Sequence, residues 1–290
     1  MKKIPIRQIN SVHHELPSPE GFKIRRVEDI VLPDEERKTI QHLHKHDFFF
    51  ILALQTGKGT HEIDFVPYTV PDHSVFFLRP GQAHRLDLKP GCSGFLMEFT
   101  TAFYHAKEPS SNRRLRKAGN KNYCQPDINR FDKLLVILTS IFREYTDREE
   151  GYLDVIRASL DIFFIEYLRQ SANSKGTAVI TNPYTQKRFE EFLKLLDQHI
   201  ATHKQVAHYT GLMNLSSYQL NEITKSSIGK TASELINEHI MLEAKRYLLA
   251  TPNQIKDIAD LLGYEDVSYF IRFFKKHSRH SPEAFRQNFG

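Results

Sequence analysis

The sequence predicts a two-domain α+β protein: an N-terminal all-β barrel or sandwich with a helical hairpin, then an all-α domain with two helix-turn-helix units. Three observations predict it. From about residue 22 to residue 100, short apolar runs alternate with glycine and proline turns. From 127 to 170, apolar residues recur at helical spacing in two stripes. Beyond about residue 205, a short apolar-faced helix, a turn residue tolerant of left-handed backbone and a polar-faced helix occur twice. The 290 residues suffice for two cores, and 40% hydrophobic with 26% charged residues is ordinary globular composition. No apolar run is long enough to span a membrane, and Met1-Lys2-Lys3-Ile4-Pro5 lacks the apolar core of a signal peptide. Only Cys92 and Cys124 occur, without metal-site spacing, so a reducing cytoplasm is the expected compartment.

The strand candidates are 48–54, 61–66, 74–78 and 95–99. They are separated by Gly57-Lys58-Gly59, Pro71-Asp72-His73, Pro80-Gly81 and Gly91. The basic run Arg113-Arg114-Leu115-Arg116-Lys117 reads as a solvated loop, with contact to a DNA backbone as the alternative. Phe131, Leu134, Leu135, Leu138, Ile141, Phe142 and Tyr145 make one helical stripe. Leu153, Ile156, Leu160, Phe163, Phe164 and Tyr167 make the other. A charged turn at 147–150 joins the two helices into a hairpin. Residues 171–185, with Asn173-Ser174-Lys175-Gly176-Thr177, read as a flexible linker. The expected boundaries are therefore 1–125, 126–170, 171–185 and 186–290.

In the first helix-turn-helix unit, Asn214 stands at the turn and Ser216 can cap the following helix. A long helix over about 231–249 joins the units. In the second, Ile255, Ile258, Ala259 and Leu262 form one apolar face, with Thr251 as cap and Pro252 at the first helical position. Gly263 ends that helix and Asp266 can cap the next. There Phe270, Phe273 and Phe274 face inward, while Ser268, Tyr269, Arg272, Lys275 and Lys276 face outward. The chain is only mildly basic, at a formal +5, and 187–290 holds 14 Lys and Arg against 12 Asp and Glu. Nucleic-acid contact must then come from local clusters such as Lys225 and Lys275-Lys276.

From about 186 to 287 the residues closely resemble the C-terminal domain of the AraC family of transcription regulators. The resemblance is carried by Leu220-Asn221-Glu222, Leu242-Glu243-Ala244-Lys245-Arg246, the run from Gln254 to Tyr264, and Ser281-Pro282. Thr210, Thr224 and Arg279 depart from that pattern, which predicts a looser first unit. Upstream, His44-Lys45-His46-Asp47-Phe48, Thr60-His61-Glu62-Ile63-Asp64-Phe65 and the run from Phe76 to His84 resemble the cupin-like β-barrel that precedes many such domains.

The resemblance implies a cytoplasmic, sequence-specific DNA-binding transcription regulator and not an enzyme, with no catalytic residues. Its partners would be double-stranded DNA, a small-molecule effector in the barrel, a second copy of the chain through the helical hairpin, and RNA polymerase if it is an activator. It assigns groove contacts to Tyr218, Gln219, Asn221 and Glu222, and to Ser268, Tyr269 and Arg272. Lys225, Lys275 and Lys276 would hold the phosphate backbone. The candidate effector residues are His44, His46, Phe48, Phe50, Phe77, Arg79 and His84, although strand alternation must turn some of these outward. In metal-binding cupins a glutamate completes the histidine set; Phe50 stands in that place here, so neither metal nor cofactor is expected. Two other functions remain open on the sequence. One is a metal-dependent cupin enzyme fused to a DNA-binding domain. The other is a constitutive DNA binder whose barrel only dimerises.

Overall fold

The computed structural model describes residues 6–7, 21–30, 43–104, 109–119, 121–171 and 183–289. They fall into two compact units, one within 5–176 and one within 177–290.

The first unit contains β1 (Ile6–Arg7), β2 (Phe22–Arg26), β3 (His44–His46), β4 (Phe49–Thr56), β5 (Gly59–Ile63) and β6 (Val66–Thr69). After them come β7 (Ser74–Leu78), β8 (Ala83–Leu88), β9 (Ser93–Phe99), α1 (Pro109–Ala118), β10 (Tyr123–Cys124), α2 (Ile128–Asp147) and α3 (Tyr152–Ser171). The strands make two five-stranded sheets, ordered β1-β3-β8-β5-β6 and β10-β7-β4-β9-β2. Among the described residues the fold is thus a pair of sheets and not one closed barrel. β4 lies at the middle of the second sheet, between β7 and β9, and both its faces are buried. That is why it reads as an unbroken apolar run. Ile51 and Ala53 join Phe77, Val75, Met97 and Phe99 in a core shared with α2 and α3. Phe50, Leu52 and Leu54 look the other way, into a core shared with Ile63 and Val70 beside the first sheet.

The hairpin follows its predicted stripes. Phe131, Leu134, Leu138 and Ile141 of α2, and Ile156, Leu160, Phe163, Phe164 and Tyr167 of α3, are buried. Each such aromatic side chain contributes roughly 1.5–3 kcal/mol by leaving water. Asp127 caps α2 by accepting from the Arg130 amide at 3.0 Å, and Arg148, left-handed at φ 52°, closes it. The basic run expected as a loop is instead helix α1. Leu115 and Ala118 are buried beneath it, and the Arg114 guanidinium meets Asp161 of α3 at 2.8 Å. The same carboxylate accepts from the Tyr104 hydroxyl at 2.6 Å. Two apolar residues three apart and one ion pair anchor this helix in a run that holds four cations.

The second unit is helical: α4 (Pro183–His199), α5 (Val206–Met213), α6 (Ser217–Ile228), α7 (Ala232–Ala250), α8 (Ile255–Leu261), α9 (Val267–Ser278) and α10 (Pro282–Phe289). α4 begins with a proline inside the segment 171–185 read as linker; residues 172–182 of that segment lie outside the described ones. Asn214 ends α5 at φ 50°, and Ser216 with Gln219 forms a reciprocal capping box on α6. Thr210 and Thr224, the two buried departures, return their hydroxyls to the carbonyls of Ala207 and Asn221 at 3.0 and 3.1 Å. α8 starts later than expected. Thr251 donates to the Tyr247 carbonyl at 2.7 Å and so closes α7, while Gln254 caps α8. Arg286 holds the intervening segment by donating to the Asn253 carbonyl at 2.7 Å. Gly263 is left-handed at φ 70°, and a Cβ there would fall 1.7 Å from the Ala201 carbonyl oxygen. Arg279 adopts φ 66° at the end of α9.

Candidate nucleic-acid interface and sensor cluster

α6 and α9 each follow a short helix and a left-handed turn, and each buries one apolar face. Leu220, Ile223 and Thr224 anchor α6; Phe270 and Phe274 anchor α9. On the outer faces Tyr218, Gln219, Glu222 and Lys225 are exposed on α6, and Ser268, Tyr269, Arg272, Lys275 and Lys276 on α9. Tyr218 and Tyr269 are 74% and 57% exposed, so neither is consumed by packing. The Arg272 guanidinium carbon lies 6.0 Å from the Tyr269 ring centroid, within cation–π range. The N-cap Asp266 accepts from the Ser268 amide at 2.7 Å and fixes the entry to α9.

Asn221 departs from the expected set. It is half-buried, and its Oδ1 accepts from the Ala232 amide at 3.0 Å, at the start of α7. Its carbonyl oxygen braces one helix against the next and does not face outward with Tyr218 and Glu222.

In the first unit the structure gathers His44, His46 and His84, whose candidate ligand atoms all lie within 4.8 Å of one another, each residue buried. Nε2 of His46 is 2.6 Å from Nε2 of His84. Nδ1 of His84 is 2.9 Å from Nε2 of His61, a fourth buried imidazole. Each contact holds one proton, so the state of His84 sets that of both neighbours. His61 Nδ1 is buried and has no hydrogen-bond partner among the described residues. Burial, and then the neighbouring His44, pushes the basicity of His61 down to about 3, so it stays neutral.

An aromatic floor supports the cluster. Phe50 stacks 5.5 Å from His46 and lies 5.1 Å from His84; Phe48 is 4.4 Å from His46. Phe77 does not belong to it. Alternation along β7 sends Phe77 to the opposite face, against Phe164 at 5.9 Å, and brings Phe76 to 4.8 Å from His61 instead. Arg79 lies just past the end of β7, is exposed and packs its stem near Gly119. His61 and Phe76 are the members that sequence reasoning missed. Chemically, three imidazoles can ligate a divalent transition metal, and the four together can donate to or accept from a polar ligand.

Two segments of the chain match models of known protein families. Residues 209–288 match the family model for a helix-turn-helix domain, and 35–106 match that for an AraC-like ligand binding domain. The HTH-type transcriptional activator RhaS of an Enterobacter species is 22% identical over 247 residues, covering 84% of this chain and 87% of that protein. RhaS of Escherichia coli is 23% identical over 250 residues, with the same coverage. Among solved structures, ToxT from Vibrio cholerae aligns over 92% of this chain and 98% of its own, at 14% identity and a TM-score of 0.43. No helix among the described residues is long and apolar enough to cross a membrane. A ligand-binding segment followed by a helix-turn-helix segment is the order of parts that makes a DNA-binding transcription regulator of this kind, and the chain belongs to the AraC family.

Proposed function

We propose that the N-terminal unit senses a small-molecule effector at the histidine cluster and that the C-terminal unit answers by a change in DNA binding. One observation carries this reading: four imidazoles are buried together on an aromatic floor between the sheets. Burying polar groups costs stability unless they are satisfied, and apolar residues would fill that space more cheaply. A ligand that meets His61 Nδ1 and its neighbours gives the cluster a purpose. DNA contacts come from Tyr218, Gln219, Glu222, Ser268, Tyr269 and Arg272, with Lys225, Lys275 and Lys276 on phosphates. The hairpin within 126–170 pairs two copies of the chain. Val136 of α2 and Val155 and Ile162 of α3 are exposed apolar residues there, and the last two, seven apart, share a stripe. Residues 1–125 form the sensor, the segment between α3 and α4 the linker, and the unit from α4 onward the DNA-binding domain. The protein works in the cytoplasm, is not an enzyme, and contacts RNA polymerase as an activator, the role in which its RhaS relatives are named.

A thermal-shift screen of the full-length chain against a panel of small metabolites tests the sensor. A compound that raises the melting temperature should also change DNA affinity, and His84→Ala should abolish both responses while leaving basal DNA binding intact. Responses that survive His84→Ala would place the effector elsewhere.

The convergence of His44, His46 and His84 favours a second reading, in which the effector is a divalent transition metal. His61 would then orient His84 from behind, as second-sphere partners of metal-bound imidazoles do. Elemental analysis of the purified chain separates the two: well under one metal ion per chain supports the small-molecule reading, and stoichiometric metal lost with activity on chelation supports the other.

A further inference from the structure

The two recognition helices are not equivalent. Counted from their N-caps Ser216 and Asp266, Glu222 and Arg272 occupy the same position, as do Lys225 and Lys275, and Ser226 and Lys276. α6 therefore carries one acid and one base, whereas α9 carries Arg272, Lys275 and Lys276 and no acid. Beyond charge, α6 has committed the oxygens of its two amide side chains to its own fold, which leaves Gln219 only its Nε2 for a base. Gln219 Oε1 accepts from the Ser216 amide at 2.9 Å in the capping box, and Asn221 Oδ1 from the Ala232 amide at 3.0 Å. In α9 the one long base-reading side chain, Arg272, is held near Tyr269 on the exposed face.

We infer that the second helix-turn-helix unit supplies most of the DNA affinity, and that Glu222 makes the first a selectivity element that lowers affinity. This rests on the proposal that both outer faces enter the groove. Lysines that neutralise phosphates release counterions, so affinity should fall steeply with salt through α9 and shallowly through α6. A carboxylate in the groove is repelled by phosphate on any sequence and is compensated only where a base amino group, cytosine N4 above all, can donate to it. The first unit thus penalises unsuitable sites more than it rewards suitable ones.

The test uses the full-length chain and two duplexes: one selected by that chain from a random-sequence pool, and a scrambled duplex of the same composition. Binding is measured over a series of salt concentrations, with circular dichroism to confirm that each variant is folded. Lys275→Ala with Lys276→Ala should lower the slope of log affinity against log salt by about two, and Lys225→Ala by about one at most. Glu222→Gln should strengthen binding to the scrambled duplex by roughly fivefold, the scale of one charge pair in water, and so narrow the preference for the selected duplex. If Lys225→Ala costs as much as the lysine pair while the selected duplex is still preferred, the groove assignment stands and the unequal division is overturned. Glu222→Gln leaving scrambled binding unchanged, with the lysine effects as expected, would overturn the role of Glu222. If no substitution alters binding to either duplex, the groove assignment fails and the inference falls with it.

Discussion

His61 makes stability depend on pH through one buried side chain. Its basicity is pushed down to about 3 by burial and by His44, so the folded chain refuses a proton that the unfolded chain accepts near pH 6.5. Where the unfolded state binds more protons, stability rises with pH. His61 therefore costs nothing above about pH 6.5 and destabilises progressively as pH falls from there toward 3. Replacing it by glutamine should make urea midpoints fall less steeply over that window; an unchanged slope would mean that this imidazole titrates normally in the fold. At Gly263 the constraint is steric. Its left-handed backbone and the Ala201 carbonyl leave no room for a side chain. Gly263→Ala should cost at least about 2 kcal/mol in denaturant unfolding of the C-terminal unit. A loss of only a few tenths would show that the turn relaxes freely.

At the scale of elements, features encoded by neighbours in sequence were legible and those encoded across space were not. Ser216, Asn214, Gly263 and Asp266 act where their local chemistry places them, because caps and left-handed turns depend on residues two to four apart. The hairpin stripes were equally plain. Thr251-Pro252 misled because the same residues suit a helix start, and only Arg286, distant in sequence, shows the segment to be held extended. Asn221 looked available because its partner Ala232 lies beyond the next turn. His61 and Phe76 were invisible as a pair since a sheet brings them together, while Phe77 required the facing direction of β7 that sequence alone leaves open. The exposed face of the hairpin gives its own prediction. If the hairpin pairs two copies of the chain as proposed, Val136→Glu or Ile162→Glu should shift the full-length chain from dimer toward monomer in sedimentation equilibrium without unfolding it. A dimer unaffected by both would move the contact off α2 and α3.

Across the whole molecule, the proposed function gives recognition to one unit and sensing to the other. Within that proposal α9 reads base pairs through Arg272, whose paired donors suit guanine in the major groove. The most direct test is to select bound DNA from a random pool with the full-length chain and with Arg272→Ala, at one salt concentration, and compare the base preferences. The variant should lose preference at a single position of the site and about 1–3 kcal/mol of affinity for the wild-type consensus, while neighbouring positions keep theirs. An unchanged consensus bound with unchanged affinity would contradict it.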